Sequence, residues 1–181
     1  MLKGERVSLK PLEKKYIEQF LKWFNDPEIT QYLLMYRPLT SMEEEEWFNE
    51  LKNKPNEVYF AIVINDKYNK EKLIGNCGIR GINSKDRVGN YGIVIGEKDY
   101  QGMGYGTEAM RLLVDYGFNT LNLNRVELST FSFNSRAYKS YLKVGFVEEG
   151  RKRQAVYKNG EYHDEIMFSI LRSEWEKRKS P

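Results

Sequence analysis

Gly102, Gly104 and Gly106 stand in the run Gln101-Gly102-Met103-Gly104-Tyr105-Gly106-Thr107-Glu108, behind an apolar, strand-like stretch at residues 91–95 and ahead of a long amphipathic pattern. Glycines let a backbone turn tightly and bring its N–H groups close to a ligand. A helix start near Gly104 adds unpaired N–H groups and the positive end of its dipole. The chemistry on offer is anion binding, and the natural guest is a pyrophosphate. What the loop lacks narrows that guest. A P-loop needs Lys and then Ser or Thr after its last glycine, whereas Gly106 is followed by Thr107 and Glu108, which argues against nucleoside triphosphate chemistry. A dinucleotide fingerprint follows its strand directly, but residues 97–101 intervene here after Gly96; Glu127, about twenty residues past the loop, would be its ribose acid. A glycine-rich turn before a helix also serves purely structural ends, so a second motif has to decide.

That motif is the segment NSRAYKSYLKVGF at residues 134–146. It reads as a strand end, an Asn that can cap a helix, a short helix, and a glycine that stops it before a new strand. With both motifs in view, the chain resembles the GNAT superfamily of acetyl-CoA-dependent N-acetyltransferases. The signature Q/R-x-x-G-x-G/A is matched by Gln101, Gly104 and Gly106. The signature N-x-x-S/A-x-x-x-Y-x-K-x-G-F is matched by Asn134, Ala137, Tyr141, Lys143, Gly145 and Phe146.

The resemblance implies an α/β GNAT fold. Its central sheet is mixed and mostly antiparallel, of about seven strands with a splayed parallel pair, flanked by four helices. Acetyl-CoA is the implied cosubstrate, with no metal. Its pantetheine arm would pair with the backbone of Ile93, Val94 and Ile95, its pyrophosphate would lie on Gln101, Gly102, Met103, Gly104, Tyr105, Gly106 and Thr107, and Asn134 and Lys143 would complete the site. The segments FVEEG and YKNGEYHDEIMFSIL are similar to the branch holding ribosomal-protein N-terminal and spermidine acetyltransferases, which points to a primary amine, either a polyamine or a peptide N-terminus. A non-catalytic CoA-binding regulatory module is the alternative.

Attack of a neutral amine on a thioester needs an oxyanion donor, for which an N–H near Val94 or Ile95 is the family-like choice. The departing thiolate gains from a proton donor, and the motif register selects Tyr141 from the 13 tyrosines. The amine's own proton needs an acceptor, and Glu97, just past the strand and before the loop, is the candidate base. Asp99, Glu148 and Glu149 rank below it, and His163 reads as a surface residue.

The elements that must position these groups alternate along the chain. Strands are expected at residues 6–9, 59–64, 73–82, 87–95, 125–131, 146–156 and 163–171, with turns at residues 65–72 and 158–160. Tyr16, Ile17, Phe20, Leu21 and Phe24 share one face of a first helix. A second, at residues 41–52, buries Trp47, Phe48 and Leu51, and its start reads as a Ser41/Glu44 capping box. The third carries Ala109, Leu112, Leu113 and Tyr116 inward and Glu108, Arg111 and Asp115 outward. A crossover through that helix makes strand 125–131 parallel to strand 87–95. The tail from residue 173 reads as a frayed helix end.

Composition sets the outer limits. With 181 residues, 40% hydrophobic and 30% charged, the chain is expected to form a single domain over residues 1–181. The net charge of +3 gives no nucleic-acid footprint, and the run Arg151-Lys152-Arg153, with Lys158 nearby, reads as a solvated strand edge that has phosphate contact as its lesser use. No apolar run reaches the ~20 residues of a membrane span, and the start lacks a secretory pattern, so a cytoplasmic location is expected. Cys77, the lone cysteine, reads as a small buried hydrophobe. The acids Glu43 to Glu46 read first as helix initiation and second as a lure for a cationic amine. A homo-oligomeric assembly is left open.

Overall fold

The computed structural model describes residues 1–65, 68 and 70–179. The strand β1 (Leu2–Lys3) opens the chain and β2 (Ser8–Pro11) follows it. Helices α1 (Ile17–Phe24), α2 (Pro27–Thr30) and α3 (Ser41–Glu50) precede a meander of β3 (Val58–Asn65), β4 (Glu71–Asn83) and β5 (Val88–Ile95). Then come α4 (Tyr105–Asn119), β6 (Arg125–Phe131), α5 (Ser135–Val144), the hairpin β7 (Val147–Lys158) and β8 (Glu161–Leu171), and α6 (Arg172–Lys179). The eight strands form one sheet in the order β1-β2-β3-β4-β5-β6-β8-β7.

Period-two alternation gives the sheet two buried faces. On β3, Phe60, Ile62 and Ile64 join the larger core with Met110, Leu113, Val114 and Phe118 of α4 and with Tyr141 and Val144 of α5. Ala61 and Val63, between them, enter a second core with Tyr16, Phe20 and Trp23. Among the described strands only β5 and β6 run parallel, and they pair at three positions, Val88 with Arg125, Gly89 with Val126 and Asn90 with Glu127. Beyond that point each keeps its outer neighbour: β5 pairs with β4 as far as Ile95, and β6 with β8 as far as Phe131. The sheet therefore opens as a V between residues 91–95 and residues 128–131.

The fold departs from the sequence expectation in ways with local causes. The eighth strand is the two-residue β1, and among the described residues the α-helices number six rather than four, because α2 is added and the expected tail forms a full helix, α6. Asp26 builds α2 by accepting the Glu28 N–H, with Pro27 at the first helical position. The second strand begins at Ser8 rather than residue 6 because the amides of Arg6 and Val7 donate to Glu108 Oε1, at 2.8 and 3.2 Å. Glu108 is thus no member of a solvent stripe; it ties α4 to the start of the sheet. The expected tail helix is anchored, with Trp175 buried and its ring 6.3 Å from that of Phe118. Trp23 is buried instead of Leu21 and Phe24, which are half-buried. In the turn expected at residues 65–72, positions 66, 67 and 69 lie outside the described residues.

The capping box forms one residue earlier than expected. Thr40 accepts from the Glu43 amide while Glu43 accepts from the Thr40 amide, and Arg37 pairs with the same carboxylate at 2.5 Å, holding Glu43 down to about 2. That register turns Glu44 inward. Its Oε1 has no partner, and burial pushes its pKa up to about 7; Trp47, Phe48 and Leu51 are only partly buried. Because folding raises this carboxyl's pKa, the folded state binds its proton more tightly, and the charged form costs stability as pH rises from about 4.5 to about 7. Glu44→Gln is expected to match the wild type in urea denaturation near pH 4.5 and to exceed it by on the order of 2 kcal/mol at pH 8. Equal stability at both pH values would place Glu44 in contact with water.

Candidate active site

The V between β5 and β6 is the floor of a cleft that encloses about 610 Å³. Its walls come from β5 (Asn90 to Ile95), the glycine loop, the end of β6 (Ser129 to Phe131), one face of α5, and residues 29 and 32–35 after α1. Unpaired backbone on the inner edge of β5 suits an extended amide-bearing ligand, which can add to the sheet as a further strand would.

At the head of the cleft, Gly102 and Gly104 have φ of +74° and +87°, in the left-handed region that favours glycine. Gly104 is the N-cap of α4 and supplies no side-chain cap, so the first amides of the helix face outward. The loop is braced from both sides. Gln101 donates through Nε2 to the Ile95 carbonyl at 2.7 Å and accepts from Arg136 Nη1 at 2.6 Å, joining β5, the loop and α5. Thr107 and Ser140 share a hydroxyl hydrogen bond of 2.8 Å between α4 and α5. An amide cradle, held rigid and open, fits a pyrophosphate.

Among the residues singled out from sequence, Ile93, Val94, Ile95, Gln101, Gly102, Gly104, Gly106, Thr107, Asn134, Tyr141 and Lys143 all line the cleft. Asn134 accepts the Ala137 amide through Oδ1 at 3.2 Å, as a helix cap does, which leaves its Nδ2 for other partners. Tyr141 is 7% exposed, packed on Phe146 and Phe168, and burial pushes its pKa up to about 12; its hydroxyl donates to no described residue. Met103 and Tyr105 do not line the cleft. The Met103 side chain is exposed and its carbonyl accepts from Arg6 Nη1, while the Arg6 guanidinium sits 4.6 Å over the Tyr105 ring.

Glu97 also lies outside the cleft lining. It accepts from Gln19 Nε2 and Trp23 Nε1, both at 3.3 Å, and pairs with Lys72 at 3.2 Å. The cause is the packing of Trp23, whose ring lies so close over Gly96 that any Cβ there would come within 2.0 Å of it. The indole fixes the chain beyond β5 and draws the next carboxylate toward α1. Asp99, Glu148 and Glu149 are likewise absent from the lining, and Glu149 is held down to about 2 by Arg125 and Ser169.

Sequence reasoning passed over several lining residues. Arg136, Lys139 and Ser140 share one polar face of α5 with Lys143, which the motif had already supplied, and their spacing of three to four from one another or from Lys143 was a legible signal. Asn76, Gly78 and Arg80 alternate along β4 and give it a face with no apolar side chain. The basic run took a different part from phosphate contact, since none of Arg151, Lys152, Arg153 and Lys158 lines the cleft. Lys158 is buried at the hairpin tip and donates to the carbonyls of Thr30 at 3.2 Å and Met35 at 2.7 Å. It pins the segment whose Leu33, Leu34 and Met35 line the cleft. Lys158→Met is expected to raise the acceptor KM about tenfold, the equivalent of about 1.4 kcal/mol, while leaving CoA affinity within twofold. Equal loss of both in steady-state and binding measurements would contradict this division of the cleft.

Comparison with known proteins agrees with this geometry. The family model described as "Acetyltransferase (GNAT) domain" matches residues 6–147. The N-acetyltransferase p20 of Bacillus licheniformis is 29% identical over 175 residues, covering 94% of this chain and 96% of its own. YdaF of Bacillus subtilis, which carries the name of a ribosomal N-acetyltransferase, is 37% identical over 106 residues, 57% of each chain. A solved structure of spermidine N-acetyltransferase from Vibrio cholerae, in complex with CoA and spermine, superposes with a TM-score of 0.86 at 27% identity, covering 95% of this chain and 99% of that one. With a glycine loop, an opened parallel pair and a family match over most of its length, the chain belongs to the GNAT acetyltransferases and is an acetyl-CoA-dependent N-acetyltransferase.

Proposed function

We propose that this cleft moves an acetyl group directly from acetyl-CoA to a primary amine, with Tyr141 as the proton donor to the leaving sulfur. The observation that carries the reading is the phenol of Tyr141, unbonded to described residues, in a cleft bounded by the free edge of β5. When bound, acetyl-CoA supplies the thioester carbonyl that the amine attacks. The amides of residues 102–107, with Gln101 as their brace and Lys143 beside them, hold the pyrophosphate. The backbone of Ile93, Val94 and Ile95 and the Nδ2 of Asn134 orient the pantetheine amides. A backbone N–H at Val94 or Ile95 stabilises the carbonyl oxygen as it gains charge.

The pKa of about 12 keeps Tyr141 protonated at neutral pH, so it enters the reaction as an acid. The amine's proton takes another route. No carboxylate or imidazole is present among the described lining residues, and Glu97 is held by three donors outside them, which supports water as the proton acceptor. The names of the relatives support either a polyamine or a peptide N-terminus as the amine. A cytoplasmic setting, in which a buried free thiol such as Cys77 is ordinary, goes with this reading.

Tyr141→Phe is expected to lower kcat at least tenfold with the acetyl-CoA dissociation constant within threefold, measured by release of free CoA thiol and by titration. Unchanged kcat would take Tyr141 out of the chemistry. Glu97→Gln is expected to keep the acidic limb of the pH–rate profile where the wild type has it. Loss of that limb in the variant would restore Glu97 as the base.

A further inference from the structure

The charges lining the cleft share one sign. Arg80, Arg136, Lys139 and Lys143 reach it, and no Asp, Glu or His does among the described lining residues. The three on α5 stand beside the glycine loop, where phosphates account for them. Arg80 has no such explanation. It is on β4, opposite Asn90 in register, and makes no hydrogen bond or ion pair with any described residue.

Its placement is defined by two glycines. Gly78 of β4 pairs with Gly92 of β5. A Cβ on Gly92 would come within 3.9 Å of Arg80 Nη2, and one on Gly78 within 2.4 Å of the Tyr59 ring. The guanidinium therefore hangs over one glycine and the phenol ring over the other, on the sheet face opposite the main core. The Tyr59 hydroxyl is spent on Glu57, at 2.8 Å, and Glu57 forms no ion pair with Arg80. The acids of α3 do not alter this balance: Glu43 is bonded to Thr40 and Arg37, Glu45 to Lys14, and none of Glu43 to Glu46 lines the cleft.

Resting on the acetyltransferase reading above, we propose that the acceptor is a small amine carrying a carboxylate a few bonds from its nitrogen, with Arg80 as the residue that selects it. A planar guanidinium matches a carboxylate with two parallel N–H bonds. Strand rise sets Gly92 about 7 Å from Val94, the span of a short amino-acid-like molecule between its reacting nitrogen and its anion. A polyamine would instead bring several cations to a wall that offers a guanidinium and no carboxylate.

The test is release of CoA thiol by the intact protein with acetyl-CoA and four acceptors: glutamate, glutamine, a peptide amide with Glu second in sequence, and spermidine. At least one carboxylate-bearing acceptor is expected to exceed spermidine tenfold or more in kcat/KM, and the glutamate and peptide arms tell whether the anion belongs to a free amino acid or to a chain. Arg80→Gln is expected to abolish that preference and Arg80→Lys to keep part of it, both with CoA affinity unchanged by titration. Spermidine equal to or better than all three carboxylate-bearing acceptors in the wild type would overturn the proposal, as would an Arg80→Gln variant that loses all acceptors alike. Acetyl transfer without charge preference removes this inference alone, whereas no transfer to any amine removes the enzymatic reading itself.

Discussion

The structure turns on a failure of hydrogen bonding, the halt in β5–β6 pairing after Asn90 and Glu127. An unpaired strand edge inside a sheet is costly unless something satisfies it, because backbone N–H and C=O groups lose their water on burial. Here the halt is stabilised from outside. β4 continues to hold β5 to its end, and β8 holds β6 to its end, so neither strand can close the gap without giving up its other neighbour. The edge is thereby kept open.

Everything at the mouth of the V serves to keep it in that shape. Gln101 takes the Ile95 carbonyl on one side and the Arg136 guanidinium on the other, which sets the distance between β5 and α5. Glu108 performs the same office at the back of the loop, accepting two amides and the Arg6 side chain. Its carboxyl is partly buried, yet those three bonds keep its pKa below the ordinary range. The α4 terminus is thus anchored by an acid at the start of its first turn, while its forward-facing amides are left for an anion. A single helix end is used for stability and, in the function proposed, for binding as well.

The cleft carries cations on two of its walls. On the α5 side, cations and amides face the glycine loop, and on the β4 side a lone guanidinium stands over Gly92. Tyr141 lies within the lining, its ring locked by Phe146 and Phe168 and its hydroxyl free of other duties. The hairpin tip reaches across to hold the outer wall through Lys158, so a residue 17 positions beyond Tyr141 in sequence bears on the shape of the same cavity.

Local chemistry determined a good deal by itself. The strand at residues 125–131, the Asn134 cap, the αL glycine at Gly145 and the crossover that makes β6 parallel to β5 all follow from spacing, capping and handedness, and the two motifs picked out residues that line one cleft. Where two local solutions were equally good, the tertiary structure chose. Thr40/Glu43 and Ser41/Glu44 both satisfy the capping pattern, and the folded chain takes the first, with Glu44 buried as a consequence. Glu97 was near the loop in sequence but was drawn off by Trp23, and Arg80 was far from it but was carried into the cleft by the β4–β5 register. Short-range rules describe a backbone and its termini; which side chains meet across a sheet depends on pairing register and on which face each strand turns inward, and those are settled only when distant segments compete for the same buried space.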